Sequence, residues 1–168
     1  MALCDIYEEH NDSIVIGRDG RLSSETLSST LIQSFLDNGK SVIDIGQVPT
    51  PLLYFAVNYF SLNSGIIITG SHNPKNYNGL KIIMDGHALA GEEIQEIYNR
   101  IKSNNFKKNN IKTNTNLENI KIDNFYIDAL LKDITITKKL KVAIDAGNGA
   151  EGPKALEAYK KTCLDIRE

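Results

Sequence analysis

The sequence predicts an α/β fold: a mixed four-stranded sheet between helices, in a three-layer α/β/α arrangement. Three observations lead there. Short β-branched runs alternate with longer segments whose apolar residues recur at helical spacing, glycine follows the strand ends, and the runs Gly65–Thr69 and Leu80–Met84 have no helix between them. Two strands joined by a loop alone can pair antiparallel, which makes the sheet mixed. With 168 residues, 41% hydrophobic and 24% charged, the chain has the material for one well-buried core and part of another.

Taken in order, Ala2 to His10 carries Leu3, Ile6 and Tyr7 at helical spacing and reads as the tail of a longer helix. Ser13 to Gly17 is the first strand. A helix capped by Ser23 or Ser24 follows, with Leu27, Leu31, Ile32, Phe35 and Leu36 as its apolar face and Asn38-Gly39 as its stop. Ser41 to Ile45 is the second strand, and Gly46 leads through Gln47-Val48-Pro49 to Thr50-Pro51. There a capping hydroxyl and a first-turn proline open a helix lined by Leu53, Ala56, Val57 and Phe60. Gly65–Thr69 and Leu80–Met84 are the third and fourth strands. Beyond the turn at Asp85-Gly86, in which His87 is a turn residue, Gly91-Glu92-Glu93 opens a helix with Ile94, Ile97, Tyr98 and Ile101. Residues 103–119 read as a polar linker, and helical spacing returns over Asp123 to Ile134. Lys141 to Asp145 is a strand, followed by the glycine-rich turn Asp145 to Ala150 and a helix beginning at Pro153. That turn reads either as a phosphate cradle or, as we favour, as a structural connection.

No apolar run approaches membrane-spanning length, and the first residues lack the pattern of a secretory signal, so the expected location is the cytoplasm. A net charge of −2 with dispersed lysines offers nothing general to nucleic acid or to an anionic membrane. Cys4 and Cys163 lack metal-ligand spacing and read as structural thiols.

Two loops carry chemistry. Between the third and fourth strands, Thr69-Gly70-Ser71-His72-Asn73-Pro74 and Tyr77-Asn78-Gly79-Leu80-Lys81 form a shaped connection, with Gly70 and Asn78-Gly79 expected to supply the unusual backbone angles. It displays the Ser71 hydroxyl beside the His72 imidazole, with the Lys81 ammonium farther on. Such a hydroxyl suits phosphoryl transfer, which needs positioning and positive charge; the same residues also suit an ordinary surface turn. After the first strand, Gly17-Arg18-Asp19-Gly20-Arg21 offers backbone access and forked donors that match phosphate oxygens, although arginines in turns are often simply solvated.

These two loops resemble the active-site serine loop and a second signature of the α-D-phosphohexomutases, and within them the phosphomannomutase/phosphoglucomutase branch. The resemblance implies a phosphoserine at Ser71, a hexose monophosphate substrate and a sugar bisphosphate intermediate. Through them the 1-phosphate and 6-phosphate are interconverted. It further implies catalytic roles for Arg18, Lys81 and His72, and phosphate or substrate contacts from Arg21, Asn73 and Asn78, with Arg21 also holding the loop and Asp19 shaping it. Magnesium would bind Ser71 through its phosphate, and no aspartate loop is present to complete the metal site. On the family plan, 1–133 is a first domain lacking its initial strand, and 134–168 is the beginning of a second, similar one. The chain alone is then expected not to complete the mutase cycle. A mutase for an amino sugar and a non-enzymatic phosphosugar-binding module are the alternatives. Neither the preferred hexose nor the oligomeric state can be read from the residues.

Overall fold

The structure, a computed structural model, describes residues 2–6, 13–104, 106, 114–138, 140–147, 149–150, 152–162 and 165–167. The elements run α1 (Ala2–Ile6), β1 (Ser13–Arg18), α2 (Leu22–Asp37), β2 (Ser41–Gln47), α3 (Thr50–Tyr59), β3 (Gly65–Ile68), β4 (Leu80–Met84), β5 (His87–Ala88), α4 (Glu92–Ser103), β6 (Leu117–Asn119), α5 (Asp123–Leu131), β7 (Lys141–Ala143), α6 (Gly152–Lys161) and β8 (Asp165–Arg167). The expected residues Tyr7 to His10 and Cys163 lie outside the described ones.

The main sheet has six strands, not the four expected, in the order β5-β4-β3-β1-β2-β6. β1, β2, β3 and β6 run parallel, and β4 is reversed, pairing antiparallel with β3 on one side and with β5 on the other. The two added strands are edges too short to show a period in sequence. β5 has two residues, and β6 comes from the end of the polar segment 103–119, where register with Val42–Asp44 outweighs a weak local preference. β7 and β8 pair in parallel as a separate two-stranded sheet.

β1 and β3 sit at the centre and are apolar on both faces, as a parallel sheet covered by helices on each side requires. Ile14, Ile16, Ile66, Ile68 and Ile82 face Cys4, Ile32, Phe35 and Ile97 of α1, α2 and α4. Val15, Ile67 and Ile83 face Leu52, Leu53, Ala56 and Val57 of α3, with Ile122 from the start of α5. This is the expected three-layer arrangement. Cys4 is buried within the first cluster.

Several local expectations change. The buried stripe of α2 is Ser24, Ser28, Ile32 and Phe35, while Leu27 is 44% exposed, because small residues let the helix start lie close on the sheet. Neither Ser23 nor Ser24 caps α2, and Thr50 is the first residue of α3 and not its cap. α5 ends at Leu131, before Ile134. His87 stands in β5, where its Nε2 lies 2.8 Å from Glu93 Oε1 and links the edge strand to the first turn of α4.

Packing of α3 is set by a glycine. A Cβ on Gly65 would stand 2.6 Å from Val57 Cγ2 and 3.1 Å from Leu53 Cδ1. Gly65→Ala is therefore expected to lower stability by about 1–3 kcal/mol through overpacking, read as an earlier urea midpoint with an unchanged slope.

Candidate active site

The chemistry collects at the carboxyl ends of β1, β2 and β3, where ligands bind in open α/β sheets. The loop from β3 to β4 is closed at its neck by the Thr69 N–H donating to Gly79 O at 2.9 Å. Inside the loop lies the Arg21 guanidinium. Its Nη1 donates to the carbonyls of Pro74 (2.6 Å) and Tyr77 (3.0 Å), its Nη2 to those of Ser71 (3.0 Å) and Asn73 (2.8 Å), and its Nε to Asp19 Oδ2 (3.1 Å). A planar fork with five N–H donors thus finds five acceptors.

Gly70 is glycine for the same reason. A Cβ there would lie 2.3 Å from the guanidinium carbon, so the loop backbone rests directly on the cation. The expectation that Gly70 and Asn78-Gly79 carry the unusual angles is corrected: the left-handed residue is Ser71 itself, at φ 51°. Its N–H donates to Thr69 Oγ1 at 3.0 Å, and the residue is exposed. A non-glycine residue in this region stores local strain that the surroundings must hold, and here the Arg21 contacts hold it.

Asp19 completes the support. Its Oδ1 accepts from the Arg21 N–H (3.0 Å) and the Ser24 hydroxyl, and its Oδ2 accepts from Arg21 Nε and the Gly70 N–H (3.2 Å). Burial pushes its pKa up, but hydrogen bonds from Ser24, the Arg21 N–H, Thr69 and the Gly70 N–H outweigh that and leave it below the ordinary 3.8. Asn78 ties the loop to α2, donating from Nδ2 to the Ser23 (2.9 Å) and Ser24 (2.8 Å) hydroxyls. These serines, expected as helix caps, are braces between helix and loop.

A cleft of about 450 Å³ opens beside the loop, and Ser71, His72 and Lys81 all line it, with Asp19, Thr69, Ile67, Val48 and Thr50. Lys81 reaches it because it pairs with Ile67 across β3–β4 and shares the sheet face of Ile83. Arg18 is not on its wall. Strand alternation puts Arg18 on the opposite face, with Ile14 and Ile16, so the expected grouping of Arg18 with Ser71 and Lys81 does not form here.

Two further roles are corrected. Every N–H of Arg21 is occupied by loop carbonyls and Asp19, and both Nδ2 contacts of Asn78 go to serines, which leaves neither with a donor for phosphate or substrate. Asn73 gives its carbonyl to Arg21 and keeps an exposed side chain. Sequence reasoning missed Val48 and Thr50 as cleft residues, while Gly149 and Ala150 come from the glycine turn that it weighed as a phosphate cradle and favoured as a structural connection.

The residues present do not fit a magnesium site. Among the described residues no group of three or more His, Cys, Asp and Glu is placed to hold a metal ion, and the carboxylate beside Ser71, Asp19, has both oxygens hydrogen-bonded. No described helix is long and apolar enough to cross a membrane.

Comparison with known proteins gives a consistent pattern. Residues 1–108 match the family model for phosphoglucomutase/phosphomannomutase, alpha/beta/alpha domain I. The chain is 42% identical over 153 residues to a phosphomannomutase/phosphoglucomutase of Pseudomonas syringae pv. tomato, which takes in 89% of this chain and 32% of that protein. It is 40% identical over 155 residues to a phosphoglucomutase of Neisseria meningitidis serogroup A, over 92% of this chain and 33% of the other. The crystal structure of a phosphoglucomutase/phosphomannomutase family protein from Burkholderia thailandensis superposes with a TM-score of 0.85 at 33% identity, covering 99% of this chain and 38% of that one. The chain thus spans about a third of the length of these sequence relatives.

The partly buried support predicts its own pH dependence. Because the folded pKa of Asp19 lies below 3.8, its contribution is complete above that value and is lost as pH falls through the folded one. Asp19→Asn is expected to speed amide exchange across 70–79 at pH 7, with the difference from the unsubstituted protein shrinking below pH ~4. Equal exchange at pH 7 would contradict this.

Proposed function

The chain belongs to the phosphoglucomutase/phosphomannomutase family, and from that premise we propose that Ser71 accepts and returns a phosphoryl group in the interconversion of hexose 1-phosphates and hexose 6-phosphates. The observation that carries this reading is the shared cleft: an exposed hydroxyl, held in a strained conformation by a hydrogen-bonded, partly buried support, with an imidazole and an ammonium on the same wall. The cleft lies where the fold offers binding space, at the strand carboxyl ends.

In the first half-reaction a sugar hydroxyl attacks the phosphorus on Ser71. The bond from Ser71 Oγ to phosphorus breaks as the new bond to the sugar oxygen forms, and Oγ takes up a proton. The sugar hydroxyl gives its proton to a base in the cleft, a role we assign to the His72 imidazole on its wall. Lys81 supplies fixed positive charge to the phosphoryl oxygens, where charge spreads during transfer. In the second half-reaction the other phosphate of the bisphosphate goes to Ser71, and the same groups act in reverse. Arg21 touches none of the reacting atoms; it acts by fixing where Ser71 stands. Fixed geometry is what this chemistry requires of a protein, since a small displacement of the attacked atom removes much of the rate.

Incubation of the purified protein with a hexose 1,6-bisphosphate is expected to add one phosphate by intact mass, located at Ser71 by fragmentation, and Ser71→Ala is expected to add none. A phosphate increment that survives in Ser71→Ala overturns the assignment. Lys81→Met should slow the uptake by about 10²–10³-fold, as for loss of a preorganised donor at the transferring group.

A further inference from the structure

The glycine turn Asp145 to Ala150 has no part in the chemistry above. Yet Gly149 and Ala150 line both the cleft that holds Ser71 and an adjoining one of about 800 Å³ on the Arg21 side. Two amides of the turn are used within the turn itself. The Gly147 N–H donates to Asp145 Oδ1 at 2.9 Å and the Gly149 N–H to Ala146 O at 2.9 Å. What the turn contributes is therefore its position.

That position is fixed from the first turn of α6. Lys154 Nζ lies 2.8 Å from Asp123 Oδ1 at the start of α5, and donates to Gln47 O, at the end of β2, at 3.4 Å. The Lys154 side chain is 14% exposed and that of Asp123 is 29% exposed. Asp123 Oδ1 is buried, and among the described residues the Lys154 ammonium is the charge that compensates it. Gln47 in turn packs on the arginine loop, its Nε2 3.0 Å from where a Cβ on Gly20 would stand. One ammonium thus joins the helix that follows the turn to α5 and to the strand end beside the site. Removing it leaves a partly buried carboxylate without its counter-charge and the Gln47 carbonyl without that donor.

We propose that Lys154 is a positioning residue that holds Gly149 and Ala150 as the far wall of the Ser71 cleft. The proposal rests on the reading of Ser71 as the phosphoryl carrier, because the value of such a wall is that it limits access of water and foreign catalysts to a phosphate there.

The test uses the full chain with phosphoserine installed at position 71 during translation, so that no turnover is needed. Added alkaline phosphatase is expected to remove the phosphate from Lys154→Met about three- to tenfold faster than from the unsubstituted protein, with Lys154→Arg restoring the slower rate, since a local opening costs a small part of global stability. Amide exchange should rise at 145–150 in Lys154→Met while β1 and β3 keep their protection. Equal phosphatase rates in the two proteins overturn the proposal. So does a loss of protection throughout β1 and β3, which would make Lys154 a general stabiliser. If the unsubstituted protein takes no phosphate from a hexose bisphosphate while Lys154→Met behaves as stated, the carrier reading of Ser71 fails and the wall stands.

Discussion

Everything at the site depends on one cation enclosed by backbone. A loop that points four carbonyl oxygens inward concentrates negative potential at its centre, and such a loop does not close around nothing. The Arg21 guanidinium fills that centre with five N–H groups in a plane, and Asp19 balances its charge from below. Lysine could not do this, since a point ammonium has three donors and no fork. The loop conformation is thereby dictated from inside, and the left-handed backbone of Ser71 is a consequence of it.

The sheet explains why this cation is in place. β1 and β3 are adjacent and parallel, so the residues following β1 and those following β3 emerge side by side at one end of the sheet. The Asp19 N–H donates to Ile68 O at 2.8 Å and the Val48 N–H donates to Arg18 O at 2.8 Å, which lock the first loop between the ends of β3 and β2. Two segments some fifty residues apart in sequence then share one hydrogen-bonded unit, as the Arg21–Asn73 and Asn78–Ser23 contacts show. The antiparallel return of β4 brings Lys81 back to the same end, on the face where the cleft opens.

This arrangement separates the work of support from the work of chemistry. Arg21, Asp19, Asn78, Ser23 and Ser24 use their polar atoms on one another and on the backbone, and so stay out of the cleft's reactive set. Ser71, His72 and Lys81 stand exposed on its wall. A site divided in this way keeps the Ser71 hydroxyl fixed while the exposed groups remain open to the cleft, because the support is closed on itself. The wall opposite comes from a part of the chain beyond the main sheet, the turn at Gly149 and Ala150, held through Lys154.

By itself the sequence determined the central strands, the helices between them and the two loops, because apolar periodicity and turn residues act over a few positions and leave a local trace. The match of Ser71, His72 and Lys81 to one motif belongs to the same class, since they lie within one short connection. What only the tertiary structure decided were the long-range uses of polar groups. The edge strands β5 and β6 exist by pairing, not by propensity; Ser23 and Ser24 brace a loop instead of capping a helix; Gly70 is glycine because a guanidinium lies against it. Arg18 and Arg21 stand three residues apart and read alike, yet strand alternation turns one to the far face while the helix start directs the other into the serine loop. A guanidinium's chemistry is the same at both positions, and only the surrounding fold selects which acceptors it meets.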